Sequence, residues 1–126
     1  MRSSLKQFKK SVSHALDGLG YVVRHERNFR IELFFAVLVM GAILFFDMRG
    51  WEAVILILMI AAVLVAELTN TVFERVVDIL KPRIHPYARL IKDIMASVVL
   101  LTSLTALVVG VIVLWPHFYA FFVALF

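Results

Sequence analysis

Three long apolar runs, Leu33 to Phe46, Ala53 to Val65 and Ile94 to Trp115, limit what this chain can fold into. Each reads as the apolar part of a helix that crosses a bilayer, because the chain as a whole is far too apolar for a soluble domain. Hydrophobic residues make up 63% of the chain and charged residues 17%, whereas a soluble domain is about half apolar. Mean hydropathy is +0.96. The predicted fold class is all-α and integral membrane, one domain over residues 1–126. It has an amphipathic surface helix at about 4–21 and three transmembrane helices at about 29–46, 51–78 and 93–115. So small a bundle has little interior of its own, and self-association would help to enclose a site.

The surface helix carries Leu5, Phe8, Val12, Ala15, Leu16 and Leu19 at helical spacing, with Lys6, Lys9, Lys10 and Asp17 on the remaining surface. Such a segment lies in the headgroup region with its lysines near anionic lipid, or packs on the rest of the protein. The block Arg24 to Glu32 is dense in charge, with Glu26 and Arg30 as an i,i+4 pair. Leu33 to Phe46 alone covers about 20 Å as a helix, short of a ~30 Å core, so Glu32 lies within the span or the bilayer thins. Asp47 to Gly50 forms a tight connection, with Gly50 as the expected terminator and Trp51 as an interfacial aromatic. Lys81 to Arg89, with Pro82 and Pro86, is expected to break the helix into a loop. The tail from Pro116 to Phe126 is expected to lie along the opposite interface.

Of the 13 Lys and Arg, only Arg49 falls between the first two spans; the others precede the first span or cluster around the connection between the second and third. That asymmetry predicts a cytoplasmic N-terminus. It also accounts for the net charge of +4 and the pI near 9.8 without a nucleic-acid partner. The absence of cysteine excludes disulfides, thiolate metal sites and haem attachment.

The second span runs without a breaker into Glu67, Asn70, Thr71, Glu74 and Asp78, which fall at i, i+3, i+4, i+7 and i+11. They share one helical face. Carboxylates near hydrocarbon are costly and usually mark a site. Glu67 lies about 24 Å along the helix from Trp51, near the far interface, and Glu74 and Asp78 lie beyond it. Asp93, near a helix N-terminus, is open to a second reading, in which it only favours the dipole.

Glu67-Leu68-Thr69-Asn70-Thr71-Val72-Phe73-Glu74 followed by Asp78, with His85-Pro86 and Lys92-Asp93 downstream, resembles the signature of the prokaryotic diacylglycerol kinase family, small lipid kinases of three spans. His25 to Arg30 looks most like the undecaprenol kinase branch, and the match runs from about Leu5 to Trp115. The resemblance implies ATP-dependent phosphorylation of a membrane lipid alcohol, undecaprenol or alternatively diacylglycerol, in the bacterial inner membrane. It implies Glu67 as general base and Glu26 and Glu74 as ligands of magnesium carried with ATP. It further implies nucleotide contacts at Lys92 and Asp93, Asn70 and Glu32 lining the same site, and a homotrimer with sites shared between chains.

Phosphoryl transfer suits these residue types, because it asks for positioning and charge neutralisation around a hard cation that keeps several waters. No glycine-rich phosphate cradle is present. The chain departs from the family pattern at His14, at Arg83-Ile84 before His85, and at Met95, Ser97 and Val98 after Lys92-Asp93. The first of these bear on nucleotide binding, the last on helix packing and the lipid groove. A transporter or channel subunit would distribute polar residues through its spans, and an anchor protein would not gather five of them on one face.

Overall fold

The computed structural model describes the backbone of residues 2–126 and the side chains of 4–80 and 86–126. The chain is all helix: α1 (Arg2–His25), α2 (Arg27–Phe45) and a helical stretch Trp51–Leu125. That last stretch is not straight. Glu52 lies 3.0 Å from His117 and Asp78 lies 2.6 Å from Lys92, contacts that a straight helix would hold about 98 Å and 21 Å apart along its axis. It is therefore a hairpin of two antiparallel arms, α3 (Trp51–Leu80) and α4 (Pro86–Leu125). With α2 they supply three helices long and apolar enough to cross a membrane.

The loop expected over Lys81 to Arg89 is corrected on two counts. Backbone assignment is helical throughout, and residues 86–89 already belong to α4. The side chains of 81–85, among them the candidate residues Arg83 and His85, lie outside the described residues. Proline removes one helical hydrogen bond and bends a helix more readily than it abolishes the helix around it. The tail is helical as well: α4 continues past Pro116 to Leu125. Phe46 packs on Phe118 at 4.9 Å and Phe45 on Phe121 at 5.5 Å, contacts that hold the extra turns against the end of α2.

Helix α2 ends before Gly50. The Met48 amide donates to the Ile43 carbonyl at 2.9 Å and the Asp47 amide to the Leu44 carbonyl at 3.3 Å, the paired bonds of a Schellman cap. Asp47 takes the left-handed position with φ 48, which aspartate tolerates. Gly50, with φ 68, instead caps the start of α3. The core gathers at this end, where Ile43, Met48, Leu56 and Val113 are buried together. Most other large apolar side chains on the spans face outward, as lipid-facing surfaces do. The apolar face of α1 is likewise uncovered: Leu5, Phe8, Val12, Leu16 and Leu19 are all exposed.

Candidate active site at the membrane boundary

The polar face of α3 is buried from its membrane end outward. Glu67, Asn70 and Thr71 are 3%, 7% and 5% exposed, Glu74 is half-buried and Asp78 exposed. The i, i+3, i+4, i+7 spacing thus becomes a depth gradient along one helical row. Thr69, off that row, turns its hydroxyl back to the Val65 carbonyl at 2.7 Å.

Helix α2 brings the second set of carboxylates. Glu26 is the single non-helical residue between α1 and α2, with φ −104 and ψ 113. Phe29, 2% exposed, anchors the first turn of α2 beneath it. Glu32 follows one turn later, half-buried. Glu67 feels the charges of Glu74 and Glu26, and Glu32 feels that of Glu67, so four carboxylates of one chain share this corner. Glu32 Oε2, Glu67 Oε2 and Asn70 Oδ1 are buried without a hydrogen-bond donor among the described residues. Buried acceptors left bare are rare away from functional sites.

The expected Glu26–Arg30 pair is not formed. Arg30 Nη1 donates to the carbonyls of Val23 and Arg24, each at 3.1 Å, and so satisfies the open end of α1. Glu26 Oε1 is taken by Arg75 Nη2 at 2.5 Å, across 49 positions of sequence. Sequence reasoning passed over Arg75; its signal was a cation one residue after Glu74 and off the acidic face. Lys92 reaches back to Asp78, and Asp93 beside it is exposed. Met95 is half-buried, while Ser97 is exposed and donates to the Asp93 carbonyl at 2.9 Å. His14 is exposed on α1.

No group of three or more His, Asp or Glu within metal-binding reach occurs among the described residues. A pair of carboxylates, Glu26 and Glu74, suits magnesium, which keeps most of its waters and takes one or two carboxylates together with substrate phosphates. Beside the carboxylates opens a cleft of about 540 Å³ between α2, α3 and α4, lined from Glu32 and Leu64 at one end to Trp115 and Phe118 at the other. Ala36, Ala106 and Gly110 leave room within it. It is apolar apart from Glu32 and Ser103.

The fold is that of a small multi-pass membrane protein with a row of buried polar residues near one end of its helices. Residues 13–114 match the family described as prokaryotic diacylglycerol kinase. The undecaprenol kinase of Bacillus subtilis (strain 168) is 32% identical over 117 residues, 91% of this chain and 94% of the relative. A diacylglycerol kinase of Synechocystis sp. is 35% identical over 107 residues, 84% of this chain and 61% of the relative. The diacylglycerol kinase of Escherichia coli (strain K12) is 28% identical over 109 residues, 86% of this chain and 89% of the relative. The chain belongs to the prokaryotic diacylglycerol kinase family, and it is a lipid kinase.

Proposed function

We propose that the chain transfers the γ-phosphate of ATP to the hydroxyl of undecaprenol, from the cytoplasmic face of the bacterial inner membrane, with its N-terminus cytoplasmic. The observation that carries this reading is Glu67, a buried carboxylate with a bare Oε2, on a helical row whose further carboxylates grade outward to the exposed Asp78. Glu67 accepts the proton of the lipid hydroxyl as that oxygen attacks. Glu26 and Glu74 are the carboxylates that would hold magnesium, which would supply charge neutralisation for the phosphates when bound. Asn70, Lys92, Asp93, His14, Arg83 and His85 contact the nucleotide. Glu32, Met95 and Ser97 border the lipid, and the apolar cleft beyond Glu32 accommodates the start of its chain. Helix α1 lies on the membrane surface with its uncovered face in lipid. The active form is a homotrimer.

Undecaprenol is favoured because the Bacillus subtilis relative of that name aligns along 94% of its own length. Diacylglycerol is the second reading, carried by the names of the other two relatives. The test is a side-by-side assay of purified protein with labelled ATP and each lipid in the same micelles. A kcat/KM for undecaprenol at least tenfold above that for diacylglycerol supports the first reading, and the reverse order supports the second. Transfer to neither overturns both.

A further inference from the structure

Among the cations described at the cytoplasmic end of the bundle, Lys92 is held by Asp78 and Arg30 by carbonyls of α1. Arg75 alone of these three sits on a carboxylate to which the proposed mechanism assigns a metal. Its Nη2 lies 2.5 Å from Glu26 Oε1. Glu26 makes no capping bond to α2, so the guanidinium is the side-chain partner that orients it. The two partners differ in exposure: the Glu26 side chain is 19% exposed and that of Arg75 is 52% exposed. The anion is sheltered, while the cation stands half in water on a long, flexible stem.

A divalent cation and a guanidinium cannot both sit on one carboxylate oxygen without like-charge repulsion. A metal that takes Glu26 Oε1 therefore competes with Arg75 for that oxygen. Released, it is tethered one residue from Glu74, on the rim where the phosphates of a metal–nucleotide complex would lie. Its planar fork matches a phosphate better than water does.

We propose that Arg75 is the resident counter-cation of Glu26, displaced from that carboxylate by the divalent metal and then paired with the phosphate chain of the nucleotide. This rests on the assignment of Glu26 as a metal-binding carboxylate. Arg75 thereby keeps the carboxylate corner charge-balanced before substrate arrives and becomes a nucleotide contact afterwards.

The exchange makes two predictions of opposite sign for one substitution. With Mn²⁺ as probe, followed by the loss of its free electron paramagnetic resonance signal in the absence of nucleotide, Arg75→Gln should bind roughly two- to fivefold more tightly than the unaltered chain, the size of one exposed ion pair. With Mn²⁺ and a non-hydrolysable ATP analogue, Arg75→Gln should bind the nucleotide roughly tenfold more weakly, the size of one charge-assisted contact. Arg75→Lys should fall between on both measurements, and Glu26→Gln should lose Mn²⁺ affinity. If Arg75→Gln and Arg75→Lys leave Mn²⁺ affinity unchanged or weaken it while Glu26→Gln loses it, Arg75 is a strut between helices and the proposal is wrong. Unchanged nucleotide affinity in Arg75→Gln is equally contrary to it. If Glu26→Gln itself keeps full Mn²⁺ affinity, the metal assignment fails first and the proposal with it.

Discussion

Lys92 Nζ lies 2.6 Å from Asp78 Oδ1, joining the last turns of α3 to the first turns of α4 beside the polar face. The side chains are 35% and 50% exposed, so the pair contributes at most about 1 kcal/mol to the fold. Loss of this ion pair should therefore lower thermal stability in detergent only slightly. Lys92→Met should do the same to stability yet raise the KM for ATP several-fold more than Asp78→Asn does. Equal KM values for the two variants would limit Lys92 to a structural role.

Phe29, 2% exposed, is the fully buried side chain of the first turn of α2, between Glu26 and Glu32 in sequence. Phe29→Ala should cost about 3–5 kcal/mol, as other deletions of a buried aromatic do. Activity measured well below the new melting transition should also fall, because the first turn of α2 loses its seat. Full activity at low temperature would mean that the carboxylates are positioned without it.

Membrane orientation is open to labelling, because the chain contains no native cysteine. An impermeant thiol reagent applied to intact cells should modify Arg49→Cys, an exposed position in the turn after α2, and spare Ser4→Cys. The reverse pattern would invert the proposed topology.

Glu26, Glu32 and Glu74 each lie within electrostatic reach of Glu67 in the same chain, whereas Asp93 stands exposed on α4. In a homotrimer with shared sites, mixing inactive Glu67→Gln and inactive Asp93→Ala chains should restore part of the activity. Mixing Glu67→Gln with Glu26→Ala should not. Restoration by the second mixture, or by neither, would contradict this division of the site between chains.

The parts of this structure that were legible in the sequence are those with a local signal. The row Glu67, Asn70, Thr71, Glu74 could be read because helical periodicity is carried by neighbouring residues on an unbroken helix. The turn after α2 could be located but not resolved: Asp47 and Gly50 both accept positive φ, and composition does not rank them. The helical course of the tail had no local signal, since the stacking of Phe118 and Phe121 on the end of α2 is a tertiary contact. The Glu26–Arg75 pair had no sequence signal beyond opposite charge, because a bond across 49 positions depends on how α2 and α3 dock. Arg30 offered a nearer partner and was instead drawn to the carbonyls that end α1.

The central claim is that depth separates the roles of the carboxylates, with Glu67 at the hydrocarbon boundary as base and Glu74 nearer to water as a metal ligand. The most direct measurement compares turnover and nucleotide affinity in Glu67→Gln and Glu74→Gln. Glutamine preserves shape and hydrogen bonding but removes the proton acceptor, so Glu67→Gln should lose roughly 10²–10⁴ in turnover, the range for a lost general base, with nucleotide affinity nearly intact. Glu74→Gln should instead weaken MgATP binding and recover partly at high magnesium. Near wild-type turnover in Glu67→Gln, or a loss of MgATP affinity as large as that of Glu74→Gln, would contradict the assignment.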